Sequence, residues 1–196
     1  MAALAFAAAF AVTQSNAQGQ GPANALQGFS QNRNQPVKIQ AATLEVRDKD
    51  KVATFGGGVH VNQGDTDMCS KVLVVFYEPD RAKPSLKAAE PGPAGQQQIR
   101  RIEATGGVVV TQKEQNAAGE TGIFDMRSNT VTLQGNVVVA RGGNVLRGQR
   151  LVVDLTSGVS KMESNGFGGV EALIQSTRTD AGGAKEVAPC RPPATN

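Results

Sequence analysis

Tryptophan is absent from this 196-residue chain, tyrosine occurs once, and aromatic residues make up 4% of it. So few rings exclude a core built on large aromatic side chains, and they leave no platform on which nucleic-acid bases stack. The basic residues do not fill that role either. Net charge is only +3, and lysine and arginine are scattered among acids rather than clustered, so nucleic acid is not an expected partner. Histidine occurs once, at His60, and no Cys-x-x-Cys pair is present; both facts argue against a metal site. His60, at an alternating strand position, reads as a surface or rim residue rather than a general base. The serines lie in turns without a nucleophile-elbow pattern. In Gly64-Asp65-Thr66-Asp67 a calcium-type ligand spacing stops after two carboxylates, which leaves a turn. No helix follows Gly56-Gly57-Gly58, so a phosphate cradle is excluded. The chain is expected not to be an enzyme and to need no cofactor. Sustained helical periodicity is also missing outside the N-terminus.

What is present is glycine, 23 residues of it, and β-branched valine, a composition that favours strands. Three stretches repeat one another: Phe55-Gly56-Gly57-Gly58-Val59-His60-Val61, Ala104-Thr105-Gly106-Gly107-Val108-Val109-Val110 and Leu133-Gln134-Gly135-Asn136-Val137-Val138-Val139. Each is a glycine-containing turn or bulge feeding a short alternating valine strand. Repetition of such a unit predicts an all-β body in which each unit buries its apolar face only by pairing with the next.

The chain divides at its ends. Residues 1–17 read as a signal peptide: Met1 to Val12 is an unbroken Ala/Phe/Leu run, and Ser15-Asn16-Ala17 supplies a small-residue cleavage site, although the first basic residue is Arg33. The run is shorter than the roughly 20 residues that span a bilayer. Residues 18–35 read as a flexible leader and 177–196 as a disordered tail. Export permits disulfides, so Cys69 and Cys190 either form a bridge or stand as separate thiols.

Between those ends, over 36–176, alternation predicts strands. Leu44 and Val46 share a face, as do Phe55, Val59 and Val61. Lys71 to Tyr77 is apolar on both faces, which predicts a strand covered on both sides. The four prolines of 79–98 mark an inserted surface loop. Ile102, Val108 and Val110 are in phase. Val131, Leu133, Val137 and Val139 fall on one face, with Thr132, Gln134 and Asn136 on the other. Leu151 and Val153 repeat the relation of Leu44 and Val46, and Val170 to Ile174 is the last strand. Turn signals every 8 to 12 residues, with periodic glycines to curve the sheet, predict an antiparallel sandwich or jelly roll.

Pro36-Val37-Lys38-Ile39, then Val52 to Gly64, then Leu73-Val74-Val75, and later Val131-Thr132-Leu133-Gln134-Gly135-Asn136-Val137 together resemble the OstA-like family over roughly Pro36 to Ser176. The resemblance implies a repetitive, open-ended antiparallel β-jelly roll in the periplasm. It also implies a lipopolysaccharide carrier that bridges inner- and outer-membrane transport proteins, with lipid A acyl chains in an apolar groove and the sugars in solvent. Fold-related membrane partners and a head-to-tail homo-oligomer follow from the same likeness. Under that reading the lining comprises Val37, Ile39, Leu44, Val46, Phe55, Val59, Val61, Leu73, Val75, Val108, Val110, Leu133, Val137, Val139, Leu151 and Val153. Physics supports it: leaving acyl chains in water costs about 0.8 kcal/mol per CH₂, and small β-branched residues leave room for such a guest. Two other readings stand beside it, a bitopic inner-membrane partner of the same fold and an envelope β-repeat scaffold without a lipid ligand.

Overall fold

A computed structural model describes residues 35–78, 99–164 and 168–174, together with Leu26, Asn32, Ala188 and Cys190. The proposed signal peptide and the 79–98 loop lie outside the described residues, as do most of the leader and tail. Ten strands follow one another: β1 (Lys38–Gln40), β2 (Thr43–Arg47), β3 (Val52–Gln63), β4 (Thr66–Tyr77), β5 (Ile99–Gln112), β6 (Gln115–Asp125), β7 (Thr130–Arg141), β8 (Asn144–Asp154), β9 (Ser160–Glu163) and β10 (Glu171–Leu173). They form one antiparallel sheet in which β3 to β8 pair in chain order. The sheet is not closed: β1 and β2 share the free side of β3, and β9 and β10 share the free side of β8. Among the described residues no helix is long and apolar enough to cross a membrane.

The six central strands are 11 to 14 residues long, longer than the turn signals of the sequence suggest. The reason lies in the repeated glycines. Each repeat sits in mid-strand, where the pairing register shifts by one residue between Gly56 and Val59, Thr105 and Val108, and Gln134 and Val137. The extra residue falls on β3, β5 and β7, and the pairs Gly57-Gly58, Gly106-Gly107 and Gly135-Asn136 all have positive φ. These are therefore bulges and not chain reversals. They bend every long strand, so the sheet folds over itself and brings its two halves face to face. The reversals lie elsewhere: two-residue turns at Gly64-Asp65, Lys113-Glu114 and Gly142-Gly143 at one end, and longer turns after Arg47, Asp125 and Asp154 at the other.

Folding over creates the core. Val59, Val108 and Val137 from beyond the bulges meet Leu73, Leu133 and Val153 from before them in one buried cluster. Gly122 marks a meeting point, since a Cβ there would lie 3.3 Å from Leu133 and 3.4 Å from Val108. Leu26, in the stretch read as a flexible leader, is buried in the same cluster, and Asn32 donates to the Gln63 carbonyl and to Asp65. Those two positions are held by the roll. Covering of β4 on both sides is corrected: its outward Val72, Val74 and Phe76 are half-exposed, and the Arg100 guanidinium lies over the Phe76 ring.

Candidate functional site

Cross-strand register turns the separate valine patterns into continuous rows. On one half of the folded sheet, Leu44, Phe55, Leu73, Ala104, Gly122, Leu133, Leu151 and Met162 stand opposite one another in succession. Beside them runs Val46, Ala53, Val75, Ile102, Phe124, Val131, Val153 and Ser160. The facing half contributes Ile39, Val61, Met68, Val110, Ala117, Val139, Leu146 and Ala172. Directly opposed residues of an antiparallel pair project to the same face. Each row therefore runs from one free edge of the sheet to the other, and none contains a charged side chain. What such a surface can do chemically is keep apolar groups from water.

Fifteen of the sixteen residues expected to line the interior fall on this wall: the three rows hold most of them, and Val59, Val108 and Val137 sit just past the bulges, opposite Ser70, Gly119 and Gly148. Val37 does not; it precedes β1 and is exposed. The wall is not uniform. Val59, Val61, Leu73, Val75, Val108, Val110, Leu133, Val137, Val139, Leu151 and Val153 are sealed within the core, and Ile39 and Phe55 are half-buried against it. Leu44 and Val46, on the same face, are 52% and 62% exposed. The mouth between β1 and β2 thus presents uncovered apolar surface that continues the core outward, and Met162 of β9 with Ala172 of β10 continues it at the opposite mouth. Ala53, Ala104, Ala117, Ile102, Phe124 and Val131 belong to the wall although they were not among the expected lining. Their alternation in register with the valines was the available signal, and alanine's small apolar weight hid it in half of the cases.

The ends and the outer face are polar. Gln63, Thr66 and Gln112 are buried beside the Gly64-Asp65 turn. Asp65 accepts from Asn32 Nδ2 at 2.6 Å and from Gln112 Nε2 at 3.4 Å. The Asn32 hydrogen bond in particular holds its carboxyl below the ordinary range. Outward-facing pairs such as Arg101–Glu103 and Lys161–Glu163 are partly exposed and contribute little to stability. The structure resolves the question of the cysteines, which are joined as a Cys69–Cys190 disulfide with Cα atoms 5.5 Å apart. The bond lies on the outer face, since Cys69 alternates with the inward Met68, and the Cys190 N–H donates to Thr111 Oγ1.

Comparison with known proteins gives three likenesses. Residues 38–159 match the family described as LptA/(LptD N-terminal domain) LPS transport protein. An uncharacterised protein of Rhizobium meliloti (strain 1021) is 32% identical over 153 residues, which is 78% of each chain. Among solved structures, LptH of Pseudomonas aeruginosa, described as the LptA homologous periplasmic component of the conserved lipopolysaccharide transport device, superposes with a TM-score of 0.57 at 21% identity. The match covers 74% of this chain and 99% of that one, and it confirms an open β-jelly roll.

Proposed function

Because the chain belongs to the LptA/LptD N-terminal family of lipopolysaccharide transport proteins, we propose that it carries lipopolysaccharide across the periplasm, with the acyl chains of lipid A against the inner apolar wall and the sugars outside it. The observation that carries this reading is the pair Leu44 and Val46. They stand in line with half-buried Phe55 and buried Ala53, yet they are exposed. Apolar surface left open at the mouth of an otherwise sealed interior is where an acyl chain gains most by entering, about 0.8 kcal/mol per CH₂ removed from water. Sealed residues such as Val137 serve the reading as the floor of the wall, reached only if the two halves part.

Stacking of copies fits the same reading. β1 and β2 run opposite to β3, and β9 and β10 run opposite to β8. Across the six alternating strands between them, this leaves the two free sides with opposed strand directions. A second copy in the same orientation would therefore add in antiparallel register, extending both the hydrogen bonds and the apolar rows. The bridge to fold-related inner- and outer-membrane partners would use the same two sides.

Photo-crosslinking side chains at Ile39, Leu44 and Val46 are expected to capture lipopolysaccharide, and those at Thr132 and Asn136 on the outer face are not. Equal capture from both faces, or none from the folded protein, would overturn the carrier reading in favour of a scaffold.

A further inference from the structure

On the outer face of the sheet the single histidine lies beside the disulfide. His60 and Cys69 are direct cross-strand partners on β3 and β4, and Cys190 is brought to them from 121 residues away. The ring nitrogen of His60 and the two Sγ atoms all lie within 4.8 Å of one another. Around them stand groups that orient an imidazole: Asp67 Oδ1 is 3.0 Å from His60 Nε2 and also accepts from Asn62 Nδ2, and Gln40 Oε1 is 3.4 Å from His60 Nδ1. Two thiols, an imidazole and an adjoining carboxylate form the donor set of a tetrahedral zinc site. A carboxylate on the second ring nitrogen is the usual outer partner of a zinc-bound histidine.

We propose that Cys69, Cys190 and His60 form a redox-convertible site for a divalent soft metal such as zinc, closed as a disulfide when oxidised and open to the ion when reduced. A dithiol reductant passes two electrons and two protons to the Cys69–Cys190 bond. That bond breaks into two thiols, and the reductant leaves as its own disulfide. Zinc then displaces the two thiol protons to solvent, forming two Zn–S bonds and one Zn–N bond to neutral His60. One ring nitrogen serves the metal while the other is held by Asp67 or Gln40. The fourth position goes to the Asp67 carboxylate or to water. In either state Cys190 is held against Cys69 of β4, by a covalent bond in one and by the ion in the other. Sequence spacing conceals the site because its cysteines meet only through the fold.

The test uses the full chain, reduced by a phosphine that is then removed under anaerobic conditions, and titrated with cobalt(II). The reduced chain is expected to develop a thiolate-to-cobalt charge-transfer band that saturates at one equivalent and is bleached by zinc, while the oxidised chain shows none. Asp67→Asn should weaken binding by roughly 10–100-fold, and His60→Ala, which removes a ligand, by more. If reduction alone unfolds the chain, zinc must restore its β circular dichroism, as expected when metal binding and folding are coupled. A folded reduced chain without the band, a His60→Ala variant that binds as tightly as the parent, or an unfolded reduced chain that zinc does not refold would each overturn the proposal.

Discussion

Within each bulge the two residues of positive φ face different surroundings. At the first position a Cβ would meet an adjacent segment: 2.6 Å from Ala42 between β1 and β2 at Gly57, 2.7 Å from Lys71 Cβ at Gly106, and 2.5 Å from Glu120 Cδ at Gly135. At the second position Gly58 and Gly107 have nothing within 4 Å, and the third repeat places Asn136 there with φ 45°. Its Nδ2 donates to Glu120 Oε1 at 2.7 Å. A left-handed φ costs an ordinary residue about 1–2 kcal/mol, and asparagine tolerates it better than most. Gly106→Ala is therefore expected to lower stability by at least about 1–2 kcal/mol, because close contact adds to strain, while Gly107→Asn should cost clearly less. Urea denaturation midpoints check this, and equal losses at the two positions would refute the assignment of roles.

Two of the longer turns at the other end, after Asp125 and Asp154, are held by aspartates. Asp125 accepts the backbone N–H groups of Arg127 at 2.9 Å and Ser128 at 3.0 Å, and Asp154 accepts those of Thr156 at 2.8 Å and Ser157 at 3.0 Å. These backbone hydrogen bonds favour the ionised form, foremost from Ser128 and from Ser157, and hold both carboxyls below their ordinary value of 3.8. A depressed folded-state value gives stability that is present above the unfolded value and lost as pH falls through the folded one. The melting temperature should thus be level, as far as these groups determine it, from neutral pH to just above 3.8 and fall below that. Asp125→Ala with Asp154→Ala should be less stable at neutral pH and show a shallower acid decline. An unchanged acid profile in the double variant would show that these turns do not contribute to it.

Over the molecule as a whole, the proposed stacking of copies rests on the two open sides of the sheet. Val46 lies on the inner face of edge strand β2, exposed and paired only with β3. Val46→Lys places a charge where a second copy would bring its apolar rows, at a site exposed enough for the charge to remain hydrated in the monomer. Light scattering is expected to show loss of concentration-dependent association with β circular dichroism unchanged. Association that survives the substitution would move the contact away from this edge. Val137→Asp, by contrast, is expected to unfold the chain, because Val137 is 0% exposed and an unpaired carboxylate there has no compensation.

Much of this was written locally. The period-2 alternation of Val131, Leu133, Val137 and Val139 and the repeated glycine motif determined an all-β chain, its inward face and its repetitive layout, because a strand's two faces follow from residue parity alone. Three things were not local. Glycine pairs serve turns and bulges alike, and only the partner strands show that these sit mid-strand and fold the sheet over. Whether an apolar side chain is sealed or open depends on what lies across the interior, so Leu44 and Leu151, placed alike in their repeats, differ in exposure. And Cys69, His60 and Cys190, with 121 residues separating the two cysteines, become neighbours only in the fold, a closure that no spacing along the chain encodes.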